Sequence, residues 1–509
     1  MEKNYYAIID IGSNTIRLVI YLQEKAGRLR EVENVKTSAR LRDHLDSDGR
    51  LTKKGSDILL HSLHNFADVI ATYTLVDLVC VATATIRQAT NNNELKKLVK
   101  EELNWDMRIL SEQEEAFYGY LAVVNSTSIE EGITIDIGGG STEVTYFKDR
   151  QLIHAHSFPF GTLTLRSYLE QDGQSFDKNM QALRRFLKEQ FHSLPWLSQK
   201  NVPLIGIGGS ARNLVQIDQN QKAYPLAGLH QYKMDDSDIA GVSNYLSSLS
   251  FKKLQKVEGL SKDRSDIIIP AIEAFHSLYQ TIEADCFILS RKGLRDGVFY
   301  EILSQDRGTL LFPNVLEDSI QELINDYDLN TKQIMHVQFL TRQLFNNLKT
   351  AGIKSLSKKD WFLLKRASYV YNLGDYIDSE SSSQHTFYLL ANRTIDGLMH
   401  IDRLQIALIA SFKNKMVFKQ FIEPYKDWFL KQERKRLQLL GALLKFTYCL
   451  DATKRQVVQD FDLDIKSDTL YLTFYCNQNS MPEAYQSEKQ KKHLEKALSK
   501  SIELRFITN

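Results

Sequence analysis

The chain has 509 residues, 43% hydrophobic and 25% charged, values of an ordinary globular protein with room for three or four domains. A formal net charge of +1 excludes a global field that attracts polyanions, so a polyanionic ligand needs positive charge gathered locally. Cys80, Cys286, Cys449 and Cys476 are scattered, with no CxxC or zinc spacing, and read as small buried hydrophobes in a reducing compartment. No basic-then-apolar leader opens the chain, and no run approaches the roughly 18 apolar residues of a membrane helix. The expectation is a soluble, cytoplasmic protein.

Residues 5–43 read as strand, tight turn, strand, basic loop, then a third strand around LREVENVKTSARL. GSDILLHSLHNFADVIATYT (55–74) carries apolar side chains at helical spacing, and DLVCVATATIR (77–87) is a buried strand ending in polar residues and an arginine. A helix NELKKLVKEEL and a strand DMRIL follow. SEQEEAFYGYLAVV then reads as a helix entered through Ser111, with Glu114 completing the S-x-x-E capping-box pattern. Strands are expected at 132–147 and 151–157, a helical zone at about 162–195, and a strand opening onto a glycine turn and helix at 202–214. RSDIIIPAIEAFHSLYQTI is helical after Pro270, and CFILSRKGLRDGVFYEIL is strand, turn, helix. This alternation predicts mixed α/β domains. After about residue 305 helices dominate, from 331–349 to 435–455. TLYLTFYCN then alternates like a strand, ahead of a lysine-rich helix.

Three glycine-bearing turns follow strands: DIGSNT (10–15), DIGGGST (136–142) and GIGGSAR (206–212). One such turn is commonly a plain hairpin. Two matched copies, each entered by an aspartate, point instead to two related halves, each offering a carboxylate and a loop whose N–H groups approach an oxyanion. The lack of GK[ST], and a strand rather than a helix after GGGST, exclude a Walker A loop and a dinucleotide fingerprint. Asp10 and Asp136 are placed to hold a divalent cation, and Mg²⁺ suits oxygen ligands beside phosphates. Glu114 and Glu115 are the carboxylates placed to activate an attacking water, against the bland reading of a solvated helix face. Arg87 can clamp a phosphate, though a lone arginine is more often a surface ion-pair partner.

The blocks IIDIGSNTIRLVIY, ATATIRQA, SEQEEA, TIDIGGGSTEV, GIGGSARNL, RSDIIIPA and GLRDGVFYE, spanning about 5–303, resemble the exopolyphosphatase/guanosine pentaphosphate phosphohydrolase family in the family's order. The resemblance implies an α/β fold of two actin-like (ribonuclease H-like) lobes with an active-site cleft between them, followed by an all-α HD-like module and a small α/β tail. The expected domains are 1–124, 125–304, 305–455 and 456–509. It implies Glu114 as general base and Glu143 as the second essential carboxylate, with Asp10, Asp136 and Glu143 at a metal site for Mg²⁺ or another divalent cation. Ser13, Asn14, Arg87, Gly139, Gly140, Ser141, Gly209 and Ser210 would grip the phosphate chain. Relatives tend toward GTSGT at the third loop; here GGSAR keeps the hydroxyl of Ser210 but puts Ala211 next.

In the helical module, Tyr371 and Asn372 stand where HD-type relatives have the metal-binding His and Asp, leaving His336 and His385 without the central dyad. The module reads as non-catalytic, suited to binding or dimerisation. KQERKR (431–436) and KQKKHLEK (489–496) carry interleaved glutamates and read as solvated helix faces; the alternative is a positive track for a long polyphosphate.

The implied activity is exopolyphosphatase: release of orthophosphate from the end of inorganic polyphosphate by direct water attack. No serine, cysteine or histidine is set up as a covalent nucleophile. Guanosine pentaphosphate hydrolysis at the same site is the alternative, with guanosine penta- or tetraphosphate as ligand. A non-catalytic polyphosphate or alarmone sensor and a sugar-kinase-like phosphotransferase rank lower. No nucleic acid or membrane partner is expected, and the resemblance implies a homodimer.

Overall fold

The structure is a computed structural model and describes residues 4–23, 29–170, 175–304 and 308–508. The basic loop expected before the third strand and a short part of the helical zone at 162–195 fall largely outside those residues. The chain divides into two compact units, residues 1–224 with 229–315, and residues 225–228 with 316–509.

The first unit contains two sheets. Its first half runs β1 (Asn4–Ile11), β2 (Thr15–Gln23), β3 (Leu29–Ser38), α1 (Lys53–Ile70), β4 (Leu75–Ala82), α2 (Ala84–Gln88), α3 (Asn92–Leu103), β5 (Met107–Ile109) and α4 (Glu112–Val124). The strands form a five-stranded sheet, β3-β2-β1-β4-β5, antiparallel through β1–β3 and parallel from β1 to β5. The apolar run of β1 follows from burial on both faces. Ala7, Ile9 and Ile11 join Leu59, Leu63 and Phe66 of α1 on one side, while Ile8 packs with Val19 and Tyr118 on the other.

The second half runs β6 (Gly132–Ile137), β7 (Thr142–Lys148), β8 (Gln151–Phe158), α5 (Thr162–Leu169), α6 (Phe176–His192), β9 (Leu204–Ile207), α7 (Gly208–Gln221), β10 (Lys233–Met234), α8 (Asp236–Ser247), α9 (Phe251–Leu254), α10 (Ile268–Ile282), β11 (Phe287–Leu289) and α11 (Leu294–Ser304). Its sheet order is β10-β11-β9-β6-β7-β8. Ile133, Ile135 and Ile137 of β6 share a core with Leu183 and Leu187 of α6, Leu214 of α7 and Phe275 of α10.

The expected boundaries at 124 and 304 gave α4 to the first lobe and α11 to the second. In the structure both helices pack with residues of both sheets. Val298 and Phe299 of α11 pack with Ile8 and Val19 of the first sheet. Tyr120, Leu121, Val123 and Val124 of α4, with Tyr300 of α11, pack on Phe147, Ile205 and Ile207 of the second. They cross where a Cβ on Gly297 would collide with the Tyr118 backbone.

The second unit is helical through α12 (Val315–Asp326), α13 (Thr331–Thr350), α14 (Lys358–Tyr369), α15 (Ser382–Asn392), α16 (His400–Ala410), α17 (Lys415–Ile422) and α18 (Lys431–Cys449). It ends in β12 (Val458–Lys466), β13 (Thr469–Cys476), α19 (Met481–Leu498) and β14 (Ser501–Thr508), a three-stranded sheet ordered β12-β13-β14. Tyr371 is inside the helical part with its ring 4.7 Å from that of Tyr448, and Asn372 takes a left-handed φ of 58°. Both positions therefore do packing and turn work. No helix among the described residues is long and apolar enough to cross a membrane.

Candidate active site

The two aspartate turns are the same structure built twice. Between β1 and β2 the Gly12 N–H donates to the Thr15 carbonyl at 3.0 Å, and between β6 and β7 the Gly138 N–H donates to the Ser141 carbonyl at 2.9 Å. Asp10 lies two residues before the first of these glycines and Asp136 two before the second. Across each hairpin the paired residue differs: Arg17 faces Asp10, and Glu143 faces Asp136. The second turn is braced by α5, whose Thr162 and Leu163 N–H groups donate to the carbonyls of Gly138 and Gly139 at 2.9 and 3.1 Å. A Cβ on Gly139 would come within 3.1 Å of the Ser13 Cβ, so the two turns meet tip to tip.

The third turn enters α7 directly. Gly208 has φ +87°, and a Cβ there would sit 2.5 Å from Asp136 Oδ1, so glycine is required on both counts. No side chain caps the start of α7, which leaves its first N–H groups open to an anion.

These turns line one cavity of about 220 Å³. Asp10, Ser13, Asn14, Asp136, Gly139, Gly140, Ser141 and Gly209 line it, with Gly208 and Glu115. So do six cationic side chains: Arg17, Lys36, Arg212, Arg264, Arg291 and Arg295. The Asn14 amide nitrogen and Arg212 Nε are buried without a hydrogen-bond partner, as donors awaiting an acceptor would be.

Four residues named from the sequence are elsewhere. Glu114 is not in the cavity lining. It is the N3 residue of α4, where Oε2 accepts from the Ser111 N–H at 2.8 Å and the Ser111 hydroxyl at 2.9 Å, and Oε1 accepts from Arg108 at 2.5 Å. Burial alone would raise its carboxyl, but the bonds from Arg108 and Ser111 bring it below its ordinary value. Of the two neighbouring glutamates, Glu115 lines the cavity and Glu114, expected from the sequence as base, is engaged in the helix cap. Arg87 does not reach the cavity either; its Nη1 donates to Glu115 Oε2 and to the Leu110 carbonyl, each at 2.9 Å. Ser210 is buried below the third turn, where Arg264 donates to its hydroxyl at 3.4 Å. Glu143 is buried behind the second turn, accepting from the Ser157 hydroxyl at 3.0 Å.

Crowding sets the charge states. Burial pushes Glu115 up to about 7 against the lowering effect of Arg87, with Asp136 and Asp10 pushing the same way as burial. Burial and then the Asp10 charge raise Asp136 to about 6, opposed by Arg264, Arg295 and Arg212. Burial, followed by the charge of Glu115, carries Glu143 well above its ordinary value. On the cationic side, burial and then Arg291, Arg17, Arg295 and Arg264 bring Arg212 down to about 10.

Nothing in the local sequence pattern marks these cations as one cluster. GGSAR, RSDIII and SRKGLRDG carry four of them, Arg212, Arg264, Arg291 and Arg295, but these segments are far apart in the chain, and alone each arginine reads as a surface charge.

The Ppx/GppA phosphatase family matches residues 19–306, more than half of the chain, and the family's domain III matches residues 315–491. The chain belongs to the Ppx/GppA phosphatase family. It is 26% identical over 479 residues to the guanosine-5'-triphosphate,3'-diphosphate pyrophosphatase of Aeromonas hydrophila subsp. hydrophila, covering 92% of each chain. It is 24% identical to the protein of that name from Pseudoalteromonas translucida, covering 93% of this chain and 92% of that one. The Ppx/GppA family member of Aquifex aeolicus superposes with a TM-score of 0.53 at 26% identity, over 60% of this chain and 99% of that one. An exopolyphosphatase from Cytophaga hutchinsonii shares the fold, with a TM-score of 0.54 at 20% identity over 61% of this chain and all of that one. As a Ppx/GppA phosphatase the chain is a phosphoanhydride hydrolase.

Among the described residues, no three His, Cys, Asp or Glu side chains converge as a metal cluster. Asp10 and Asp136 remain as two hard oxygen donors in one cavity whose charges oppose each other. That donor set fits Mg²⁺, which commonly takes one or two carboxylates and fills its other positions with water and substrate phosphate.

Proposed function

We propose that this Ppx/GppA phosphatase is an exopolyphosphatase that removes the terminal phosphate of inorganic polyphosphate by direct attack of water. The carrying observation is the lining: six cations face three carboxylates, Asp10, Glu115 and Asp136, and no aromatic side chain is among them. Such a wall suits successive phosphates better than a base or sugar ring.

Glu115 is the general base. Its Oε2 is held by Arg87, which leaves Oε1 to take the proton of a water directed at the terminal phosphorus. A carboxyl raised to about 7 is a stronger base than an ordinary glutamate and is still half ionised at neutral pH. The open N–H groups of α7 and of Gly139 and Gly140, with Asn14, stabilise charge on the transferred group, and the arginines hold the departing chain. Mg²⁺ held by Asp10 and Asp136 would supply charge neutralisation for the phosphate oxygens. Glu143 supports the site from behind the second turn.

A second reading, hydrolysis of guanosine pentaphosphate in the same cavity, draws on the names of the Aeromonas and Pseudoalteromonas relatives. Phosphate release from long-chain polyphosphate and from guanosine pentaphosphate, measured side by side with Mg²⁺, separates the two. Glu115→Gln should lose roughly 10²–10⁴-fold in turnover while retaining substrate binding, and Glu114→Gln should stay within a few-fold of the parent. A fully active Glu115→Gln protein would sink the assignment of the base.

A further inference from the structure

One short turn in the second half of the first unit carries charges in two directions. It runs from Ser261 through a 3-10 turn at Lys262–Arg264 to the start of α10. Asn213 of α7 ties one end down, donating to the Ser261 hydroxyl at 3.3 Å and the Gly259 carbonyl at 3.1 Å. At the other end the Ile267 N–H donates to the Arg264 carbonyl at 3.1 Å. Arg264 points into the phosphate cavity, lying so close over Gly209 that a Cβ there would collide with its guanidinium. Asp263 faces the other lobe, and Asp266 is shared between Arg166 of its own half and, at longer range, Arg40 of the other. Asp263 Oδ2 is 2.6 Å from Lys36 Nζ on β3, and Asp266 Oδ2 is 3.9 Å from Arg40 and 2.7 Å from Arg166. The turn therefore touches the phosphate cavity and the opposite lobe at once.

We propose that this turn is a charge clasp across the cleft: Asp263 and Asp266, by holding Lys36 and Arg40, keep the lobes closed and seat Arg264 for the incoming phosphate chain. This rests on the phosphatase reading of the cavity. Asp263 and Asp266 are positioning residues, since neither lines the cavity. The four side chains of the clasp stay between 21% and 40% exposed, so each pair is partly solvated and individually weak. Two weak pairs suit an equilibrium between open and closed cleft rather than a permanent seam. Substrate, by bridging the lobes itself, takes over once bound. Loss of the clasp then lowers the fraction of protein ready to bind and raises KM by that factor, leaving kcat in place.

The test places one nitroxide on each lobe of the full chain, at Lys96→Cys and Arg185→Cys, and measures their distance distribution by pulsed electron spin resonance. Asp263→Asn, Arg40→Gln and the pair combined are compared with the unsubstituted background. The clasp predicts longer, broader distances in each variant. It also predicts a KM raised roughly two- to five-fold per lost pair with kcat kept. High salt should widen the unsubstituted protein toward the combined variant. Unchanged distances in the variants and in salt would overturn the proposal. So would a lower KM for Asp263→Asn, which would make Asp263 only a competitor of substrate for Lys36. Absence of phosphate release from the unsubstituted protein would overturn the assigned function, while the distances still decide the clasp.

Discussion

Glu114 and Glu115 are neighbours on α4, roughly 100° apart around the helix, and that rotation separates their work. Glu114 closes the capping box with Ser111 and bonds Arg108, whereas Glu115 faces Asp136 and Asp10 across the cavity. With Glu115 as the proposed base, its ionised form is the active one, so turnover should rise with pH through about 7 and level off above it. Arg87 opposes the upward shift, so Arg87→Gln should move that rising limb to higher pH, read from kcat/KM against pH. The same shift is a stability statement. A carboxyl raised in the fold favours the folded state while protonated, and that contribution is lost as pH climbs from about 4.5 to about 7. Glu115→Gln should match the parent more closely in acid, then gain on it by up to about 3 kcal/mol by pH 8, in denaturant titrations without metal or substrate. Parallel pH profiles for the two proteins would count against the buried, raised carboxylate. Ser111→Ala, by contrast, should cost about 1 kcal/mol at any pH in this range and leave turnover almost untouched.

At the level of elements, the paired hairpins were readable from the chain because everything that makes them is local. An apolar strand, an aspartate, a tight glycine turn and a second strand follow within about a dozen residues, and the repetition removes the ambiguity of one copy. The capping box was readable for the same reason, and it held the information that Glu114 was already engaged. The cationic wall was not readable, because Arg17, Lys36, Arg212, Arg264, Arg291 and Arg295 are brought together only by tertiary packing. The shared role of α4 and α11 was hidden too: their apolar faces say that they are buried, not against which sheet. Gly208 tests how tightly the third turn is specified. Gly208→Ala should cost about 1 kcal/mol or more in stability from its φ of +87°. By pushing on Asp136 Oδ1, it should also weaken the Mg²⁺ binding proposed there, seen as a higher Mg²⁺ concentration for half-maximal phosphate release.

At the scale of the molecule, the solved Aquifex family member spans 60% of this chain yet 99% of itself. The first unit here carries its own cores on both sheets and the whole cavity. A chain ending at residue 315 should therefore unfold cooperatively and still release phosphate from short polyphosphates. A truncated protein that aggregates, or folds without activity, would show that the second unit completes the first. The change of texture after about residue 305 lies some ten residues before the point at which the two compact units divide. The passage of residues 225–228 into the second unit was not legible, since four residues carry too little pattern to reveal where they pack.

Polyphosphate has no head or tail; its two ends are chemically identical, so any direction in its breakdown must come from the protein. A perfectly duplicated cleft could not supply one. The two hairpins match in turn, spacing and aspartate, but across the strand pair one presents Arg17 where the other presents Glu143. That exchange of sign breaks the pseudo-symmetry: Arg17 lines the cavity as a cation, whereas Glu143 is buried behind its turn. On the proposed function, a thread whose two ends are alike would meet two unlike walls, and either end could enter.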